Sequence, residues 1–435
     1  MLKIGDNKLI NAWAFYDWAN SVYSLVISTA IFPIYYSGLT ASEGFANTDG
    51  KIAFLGTLWT PTSLYNYALA ISFLVVAFIS PMLSGIADYT GNKKKFLKGF
   101  CWLGSVSVMS LFFFTGKETL WVAIVFSMLA SIGFWGSIVF YNAYLPEVAV
   151  PEKHDNVSAK GFILGYIGSI ILLVVCLVLI ETEVFGFYDK KFGSQLSFVL
   201  VGLWWIGFAQ VTYANLPNEE KVILPKDNYF KKGLKEIKTV AKEFLVYREL
   251  KTFLISFFLL SIGVQTMILM AGIFGTTLGL ETLNLIATIL LVQFVAILGA
   301  FLFSRLSNKI GNLKTLKITI AIWGFVCFIG FNLTKDTPNI DIYFYVLGGL
   351  IGLVLGAIQS LSRSTYSKLL PKTEDTTSYF SFYDVTEKIA LVMGMLIFGI
   401  LNSLISIQSS VMAMAIFFLA AFISISSIKK TKYVH

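Results

Sequence analysis

The chain has two histidines, three cysteines and nine prolines in 435 residues, and only 13% of its residues are charged. Each scarcity removes a class of chemistry. Cys101, Cys176 and Cys327 are odd in number, far apart and set in or at the edge of apolar segments, which argues against a disulfide framework or a metal site and for small packing residues. No GxxxxGK[ST] loop could cradle a nucleotide, no HExxH or CxxC spacing could hold a metal, and no nucleophile has a histidine to activate it. The sequence therefore points away from an enzyme and from an ATP-driven pump, and no cofactor is expected. His154 is expected in a polar loop and His435 ends the sequence, so a proton carrier inside an apolar segment has to be a carboxylate.

What the chain has in excess is apolar length. Hydrophobic residues make up 56% of it and its mean hydropathy is +0.75, the composition of an all-α polytopic membrane protein. A hydrocarbon core of about 30 Å needs roughly 20 apolar residues per helix. Twelve stretches qualify, near 10–37, 65–87, 98–115, 119–145, 161–181, 194–214, 252–274, 283–305, 316–333, 342–368, 380–403 and 408–428. The first is too long for a signal-peptide core and lacks a small-residue cleavage site, so it reads as a retained helix.

Lysine and arginine set the expected orientation. With a cytosolic N-terminus, 27 of the 33 basic residues fall inside; Lys51, Lys117, Lys190, Lys191 and Lys335 fall outside, and Lys388 lies within a segment. Both termini are then cytosolic. The net charge of +8 reports this topology and implies no nucleic acid.

The longest cytosolic stretch, about 215–251, divides the segments six and six, giving an N-terminal bundle over 1–214, a linker, and a C-terminal bundle over 252–435. In the linker Phe230, Leu234, Ile237, Ala241 and Phe244 recur at helical spacing among lysines, the pattern of a basic amphipathic helix lying on an anionic leaflet. The two halves match weakly. Gly91 and Asn92 in "DYTGNKKK" align with Gly311 and Asn312 in "NKIGNLK" at an offset of 220, and "YNAYLPE" from Tyr141 aligns with "YSKLLPK" from Tyr366 at an offset of 225. Matches at corresponding segment ends indicate an internal duplication.

"SGIADYTGNKKK", residues 84–95, resembles the signature loop between helices 2 and 3 of the major facilitator superfamily, with Asp88, Gly91 and Lys93 at matching positions. It departs from that pattern in Ser84, where glycine is usual, and in Tyr89 and Asn92, where a basic residue is usual. Gly91 suits a tight turn, Asp88 can face a helix N-terminus, and the lysines hold the loop inside. A narrower resemblance spans nearly the whole chain. "AWAFYDWANSVYSLVISTAIFPIYY", "FYNAYLPEVA", "SAKGFILGYIGS" and "QSLSRSTYSKLLPKTEDTTSYFSFYDVTEK" are similar to the vacuolar amino-acid effluxer family of fungi and its bacterial relatives. The resemblance implies the major facilitator fold, two six-helix bundles, and amino-acid efflux. A bacterial inner membrane, a monomer and a small-molecule substrate, with the proton as candidate coupling ion, are the corresponding expectations.

Candidate site residues follow from the cost of placing charge in lipid, roughly 2.5–3.5 kcal/mol on insertion scales. Asp17 lies roughly 12 Å into the first helix. Asn20, Ser21, Ser24 and Ser28 continue a polar stripe from it, which reads as cavity lining or a buried salt bridge between bundles. The uncharged run from Ile389 to Ile428 is too short for two helices and a turn, so the eleventh helix has to begin earlier and draw Asp384, Glu387 and Lys388 into its first turns. Asp384 and Lys388, at i and i+4, can pair, leaving Glu387 as the less satisfied charge. Gln359 and Arg363 stand one turn apart in the tenth segment, where Arg363 reads equally as a two-point carboxylate hook or a snorkelling cation. Tyr141, Asn142, Lys160 and the glycines Gly161, Gly165 and Gly168 complete the set, the glycines for close packing; Gln210, Gln265 and Gln293 are weaker candidates. A zwitterion needs an anionic and a cationic partner, which Asp17 and Arg363 supply if they share a cavity. The competing readings are a sugar, peptide or drug-like solute transporter and a transport-silent sensor of the same fold.

Overall fold

The computed structural model describes residues 3–182, 190–217 and 229–428. Long apolar runs close their own backbone hydrogen bonds as helices, which is what a bilayer demands. In chain order these are α1 (Asn7–Thr40), α2 (Pro61–Thr90), α3 (Lys93–Ser110), α4 (Leu120–Ala143), α5 (His154–Glu181) and α6 (Lys190–Asn215). After the linker helix α7 (Tyr229–Val246) come α8 (Arg248–Thr277), α9 (Thr282–Ile310), α10 (Asn312–Asn332), α11 (Ile340–Leu369), α12 (Thr376–Leu404) and α13 (Ile407–Ser426). Eleven of these are long and apolar enough to cross a membrane on length and composition. The 29-residue α12, which carries three charges, completes the twelve helices of a major facilitator fold.

Several helices, α2, α6, α8 and α11 among them, run past the apolar segments at both ends, because their last turns carry polar residues that stay at the interface, whereas α4 stops short of its segment at both ends. Between α1 and α2 a short antiparallel hairpin, β1 (Ile52–Phe54) with β2 (Thr57–Trp59), interrupts an otherwise helical chain. Its two-residue turn has Leu55 at φ 50° and Gly56 at φ 75°, the left-handed pair that tight hairpins require.

Buried apolar side chains form two clusters, one running from Leu9 to Leu216 and the other mainly from Val240 to Ile428, one for each bundle. On the opposite surface Phe78, Leu298, Phe328, Ile416, Leu419 and Ile423 are all more than half exposed, a face suited to lipid tails rather than water. Within bundles α1 packs on α5 and α6, α3 on α4, α9 on α11, and α10 on α13; between bundles α5 packs on α9 and α11, and α12 on α2 and α4.

Glycine permits the closest of these approaches. A Cβ on Gly161 would sit 2.3 Å from the Asp17 Oδ2 atom, and one on Gly165 2.4 Å from the Ser21 hydroxyl, so α5 meets the polar stripe of α1 backbone to side chain. Between α9 and α11, a Cβ on Gly356 would lie 2.1 Å from the Ala296 carbonyl oxygen. Backbone cannot step aside there as a flexible side chain can. Gly356→Leu is therefore expected to cost at least the roughly 1–3 kcal/mol of an overpacked core, read as a fall of several degrees in Tm of the detergent-purified protein. An unchanged Tm would mean that α9 and α11 do not meet this closely.

Candidate functional site

Helix α1 is not uniform. Residues Tyr23–Ile31 are wound as a π-helix before α-helical geometry resumes at Phe32. Pro33, which has no N–H to donate, stands where α-helical geometry resumes, and within the π-helical stretch the Thr29 hydroxyl donates to the Ser24 carbonyl five residues back at 2.8 Å. The shift lies one to two turns beyond Asp17 and Asn20.

Asp17 is 4% exposed. Its Oδ2 atom accepts the Tyr141 hydroxyl at 2.8 Å and both terminal nitrogens of Arg363 at 3.2 and 3.3 Å. Arg363 also donates to the Asn142 side-chain oxygen at 3.2 Å, and to the Ser158 hydroxyl and carbonyl at 2.9 Å each. Those five bonds use all five guanidinium donors. The guanidinium carbon lies 4.2 Å over the Phe162 ring and 4.9 Å over Trp13, whose indole stacks on Tyr141 with centroids 4.6 Å apart. Four helices thus converge on one buried bond: α1, α4 and α5 from the first bundle, α11 from the second. The Ser158 hydroxyl donates to the Ser360 carbonyl at 2.8 Å, and the Tyr166 hydroxyl to the Gln359 side-chain oxygen at 2.6 Å, extending the same α5–α11 seam.

A second charged cluster lies on α12. Lys388 is 1% exposed and bonds Asp384 at 2.9 Å and Glu387 at 3.2 Å, with its ammonium 3.5 Å above the Trp135 ring of α4. The expected i,i+4 pair is present, but the expected order of satisfaction is reversed. Glu387 also accepts the Gln265 amide at 2.6 Å, whereas Asp384 Oδ2 is buried with no hydrogen-bond partner among the described residues. The expectation counted neighbours on one helix only, and Gln265 arrives from α8. The early helix start is also present: α12 begins at Thr376, eight residues before Asp384, which places the three charges in its third and fourth turns.

At the lysine-rich end of the molecule, hereafter the basic face, the bundles are joined by further polar bonds. Gly91 takes φ 68° and ends α2, and Asp88 accepts the backbone N–H groups of Thr377 at 3.2 Å and Ser378 at 2.6 Å, the exposed donors of the α12 N-terminus. Lys93 is paired with Glu147, which also accepts the Thr376 hydroxyl at 3.2 Å. The other half of the interface repeats this logic, again with the acid on the first bundle. Asp155, at the start of α5, bonds Lys368 at 2.8 Å, Asn312 at 2.7 Å and Ser307 at 2.8 Å.

Asp155, Lys368, Glu147, Ser158 and Trp135 are absent from the sequence expectation. The repeat carried a usable signal for two of them, since Glu147 and Lys368 lie in the matched "YNAYLPE" and "YSKLLPK" ends. His154 does not lie in a loop: it opens α5, is 1% exposed and meets the Ala149 carbonyl at 3.0 Å. Proline at 151 starts a helical turn there, which carries the polar stretch into the fold. Ser24 is exposed and Asn20 buried, so the stripe on α1 faces two environments. Lys160 donates to Asn11 at 2.5 Å near the surface, and Gln210 bonds its own helix at the Ile206 carbonyl; neither joins the buried network.

Residues 5–433 match the family described as "Vacuole effluxer Atg22 like". The chain is 33% identical over 394 residues to the uncharacterized MFS-type transporter YxiO of Bacillus subtilis (strain 168), covering 90% of this chain and 87% of that one. It is 24% identical over 501 residues to autophagy-related protein 22 of Coccidioides immitis (strain RS), covering 90% and 81%. Among solved structures, the proton:xylose symporter XylE bound to 6-bromo-6-deoxy-D-glucose superposes with a TM-score of 0.72 at 13% identity, covering 98% of this chain and 96% of that one, a likeness of fold.

Removing one member of a buried ion pair strands the other at roughly 3–5 kcal/mol, whereas removing both is close to neutral. Lys388→Met is accordingly expected to lower Tm by several degrees, and Lys388→Met with Asp384→Asn to recover much of the loss. A single variant as stable as the parent would show that Lys388 is not the cation holding these carboxylates.

Proposed function

We propose that this chain, which belongs to the Atg22-like vacuole effluxer family of major facilitator transporters, exports small polar metabolites, amino acids first, by alternating access between its two bundles. The observation that carries the reading is the Asp17–Arg363 junction. A carboxylate and a guanidinium buried at 4% and 3% exposure are costly to desolvate, and here they spend that cost on a contact between bundles rather than within one. Every bond in it is polar, so it can be exchanged for bonds to water or to a solute when the bundles rock apart. A packed apolar interface could not be remade that way.

The basic face is the cytosolic one in this reading, by the placement of lysines and arginines. Asp88 at the α12 N-terminus, Lys93 with Glu147, and Asp155 with Lys368 then form the cytosolic gate, closed in this conformation. Asp17 and Arg363 separate when that gate opens, exposing an anion on the first bundle and a cation on the second. An amino acid satisfies both through its ammonium and carboxylate groups, and a two-point grip on the carboxylate is the geometry a guanidinium provides. Glu387, partly exposed beside Gln265, and the stripe from Asn20 to Ser24 are the other groups offered to the solute.

The buried His154 lies at the basic face beside Asp155 and not beside Asp17 or Glu387, so in this reading carboxylates carry the coupling proton. Asp17 depends on Arg363, a cation of the other bundle that a change of bundle angle can withdraw, whereas Lys388 travels with Glu387 on α12 and loses only its cover by Trp135 of α4. An acid that loses its cation in an apolar site takes up a proton and releases it when the cation returns.

Counterflow in liposomes with a panel of labelled amino acids and sugars tests the substrate class, and uptake of an amino acid but no sugar is the expected result. Arg363→Lys should reduce that flux nearly as far as Arg363→Ala, because lysine keeps the charge and loses the fork; full activity in the lysine variant would reduce Arg363 to a point charge. With a pH gradient imposed and the membrane potential clamped, uphill accumulation that disappears in Asp17→Asn or Glu387→Gln is expected. Flux that only equilibrates the solute at every gradient would rule out proton coupling.

A further inference from the structure

The linker helix α7 does not lie apart from the bundles. It runs along α2 of the first bundle and touches α8 and α12 of the second. Val240 is fully buried and Phe244 is 8% exposed, the Phe244 ring meeting Tyr379 and Phe382 of α12 edge-on at centroid distances of 5.1 and 5.0 Å. The Tyr379 hydroxyl donates to the Glu243 carboxylate. Tyr379 directly follows Thr377 and Ser378, whose N–H groups bind Asp88. One helix therefore grips both sides of the seam between α2 and α12, next to the contact that closes the basic face. The opposite side of α7 is different in kind: Lys235, Lys238, Thr239 and Lys242 are exposed, three cations within eight residues on one turn-to-turn face.

We propose that the lysine face of α7 is a docking surface for anionic phospholipid headgroups, and that lipid bound there holds the basic face of the transporter closed. The occupant follows from charge and position. The face is cationic, it belongs to a helix whose Val240 and Phe244 are already buried against the bundles, and that helix lies beside the first turns of α12. Headgroups at the basic face reach it without displacing any contact that the helix makes. Lipid and bundles can thus bind α7 together, and whatever fixes α7 in this place fixes α2 against α12. When the basic face opens, α2 and α12 part and α7 can follow only one of them, so its lipid contacts are rearranged. The inference rests on the reading of the basic face as the membrane side rich in anionic lipid. It does not depend on the identity of the transported solute.

The test uses the full-length protein in nanodiscs of phosphatidylcholine with none or two-fifths of the lipid replaced by phosphatidylglycerol. A fluorophore at Thr239 reports docking through quenching by headgroup-labelled lipid, and a pair of spin labels at the exposed residues Ala214 and Lys309 reports closure of the basic face. Labelled phosphatidylglycerol should quench more strongly than labelled phosphatidylcholine, and the ratio of closed to open protein should rise at least about fivefold with the anionic lipid, the effect of a single lysine near a charged surface. Lys235→Gln, Lys238→Gln and Lys242→Gln together should abolish both responses. Phe244→Ala should keep the quenching and lose the closure, which separates docking from its consequence. Equal quenching by the two lipids would overturn the docking surface. Selective quenching with an unchanged closed-to-open ratio would overturn the latch. Neither readout requires transport, so a failure to find an amino-acid substrate leaves this proposal standing or falling on its own data.

Discussion

A carboxylate inside a bilayer has to be partnered, and in this protein the partner of Asp17 is supplied by the other bundle. That single constraint organises the interface. Gly161 is bare so that α5 can come within contact distance of the Asp17 side chain, Tyr141 and Asn142 at the end of α4 complete the acceptor and donor sets, and Ser158 fills the remaining donors of Arg363. Trp13, Tyr141 and Phe162 then wall the guanidinium from water. An isolated charge would cost several kcal/mol at this depth; the network converts it into a specific registration of one bundle on the other.

The polar bonds that cross between bundles lie at mid-depth and toward the basic face. Their distribution has a mechanical meaning. Each bundle is held by apolar packing, glycine-mediated contacts and scattered single hydrogen bonds such as Thr212 to the Ala12 carbonyl, whereas the seam concentrates charged bonds that exchange with water at modest net cost. The proposed cycle moves the bundles as stiff bodies about this interface. Close to Asp17 and Asn20, α1 departs from regular geometry for nine residues as a π-helix.

Much of this was legible in the sequence because membranes impose long, simple signals. Segment count, the role of Gly91 and Asp88, the early start of α12 and the Asp384–Lys388 pair all follow from length, charge and one-helix spacing. What could not be read needs two helices at once. Nothing local says that Gln265 reaches Glu387, that Trp135 caps Lys388, or that Asp155 meets Lys368, since each pair joins residues more than a hundred positions apart. Other features were within reach. Pro33 marked the irregular turn of α1, and "IAFLGTLW" carries the alternation and Leu-Gly turn of the hairpin. The polar neighbours of His154 suggest a loop, although Pro151 ahead of it is a helix-start signal.

The central claim is that the bond between Asp17 and Arg363 sets the balance between the two bundle arrangements. Spin labels at Ala214 and Lys309, on the basic ends of α6 and α9, measure that balance directly. With Asp17→Asn the account predicts a second, longer-distance population at least tenfold larger than in the parent, because an Arg363 left unpaired in the closed seam costs roughly 3–5 kcal/mol that opening to water relieves. A correctly folded Asp17→Asn protein with the parent's distance distribution would contradict it.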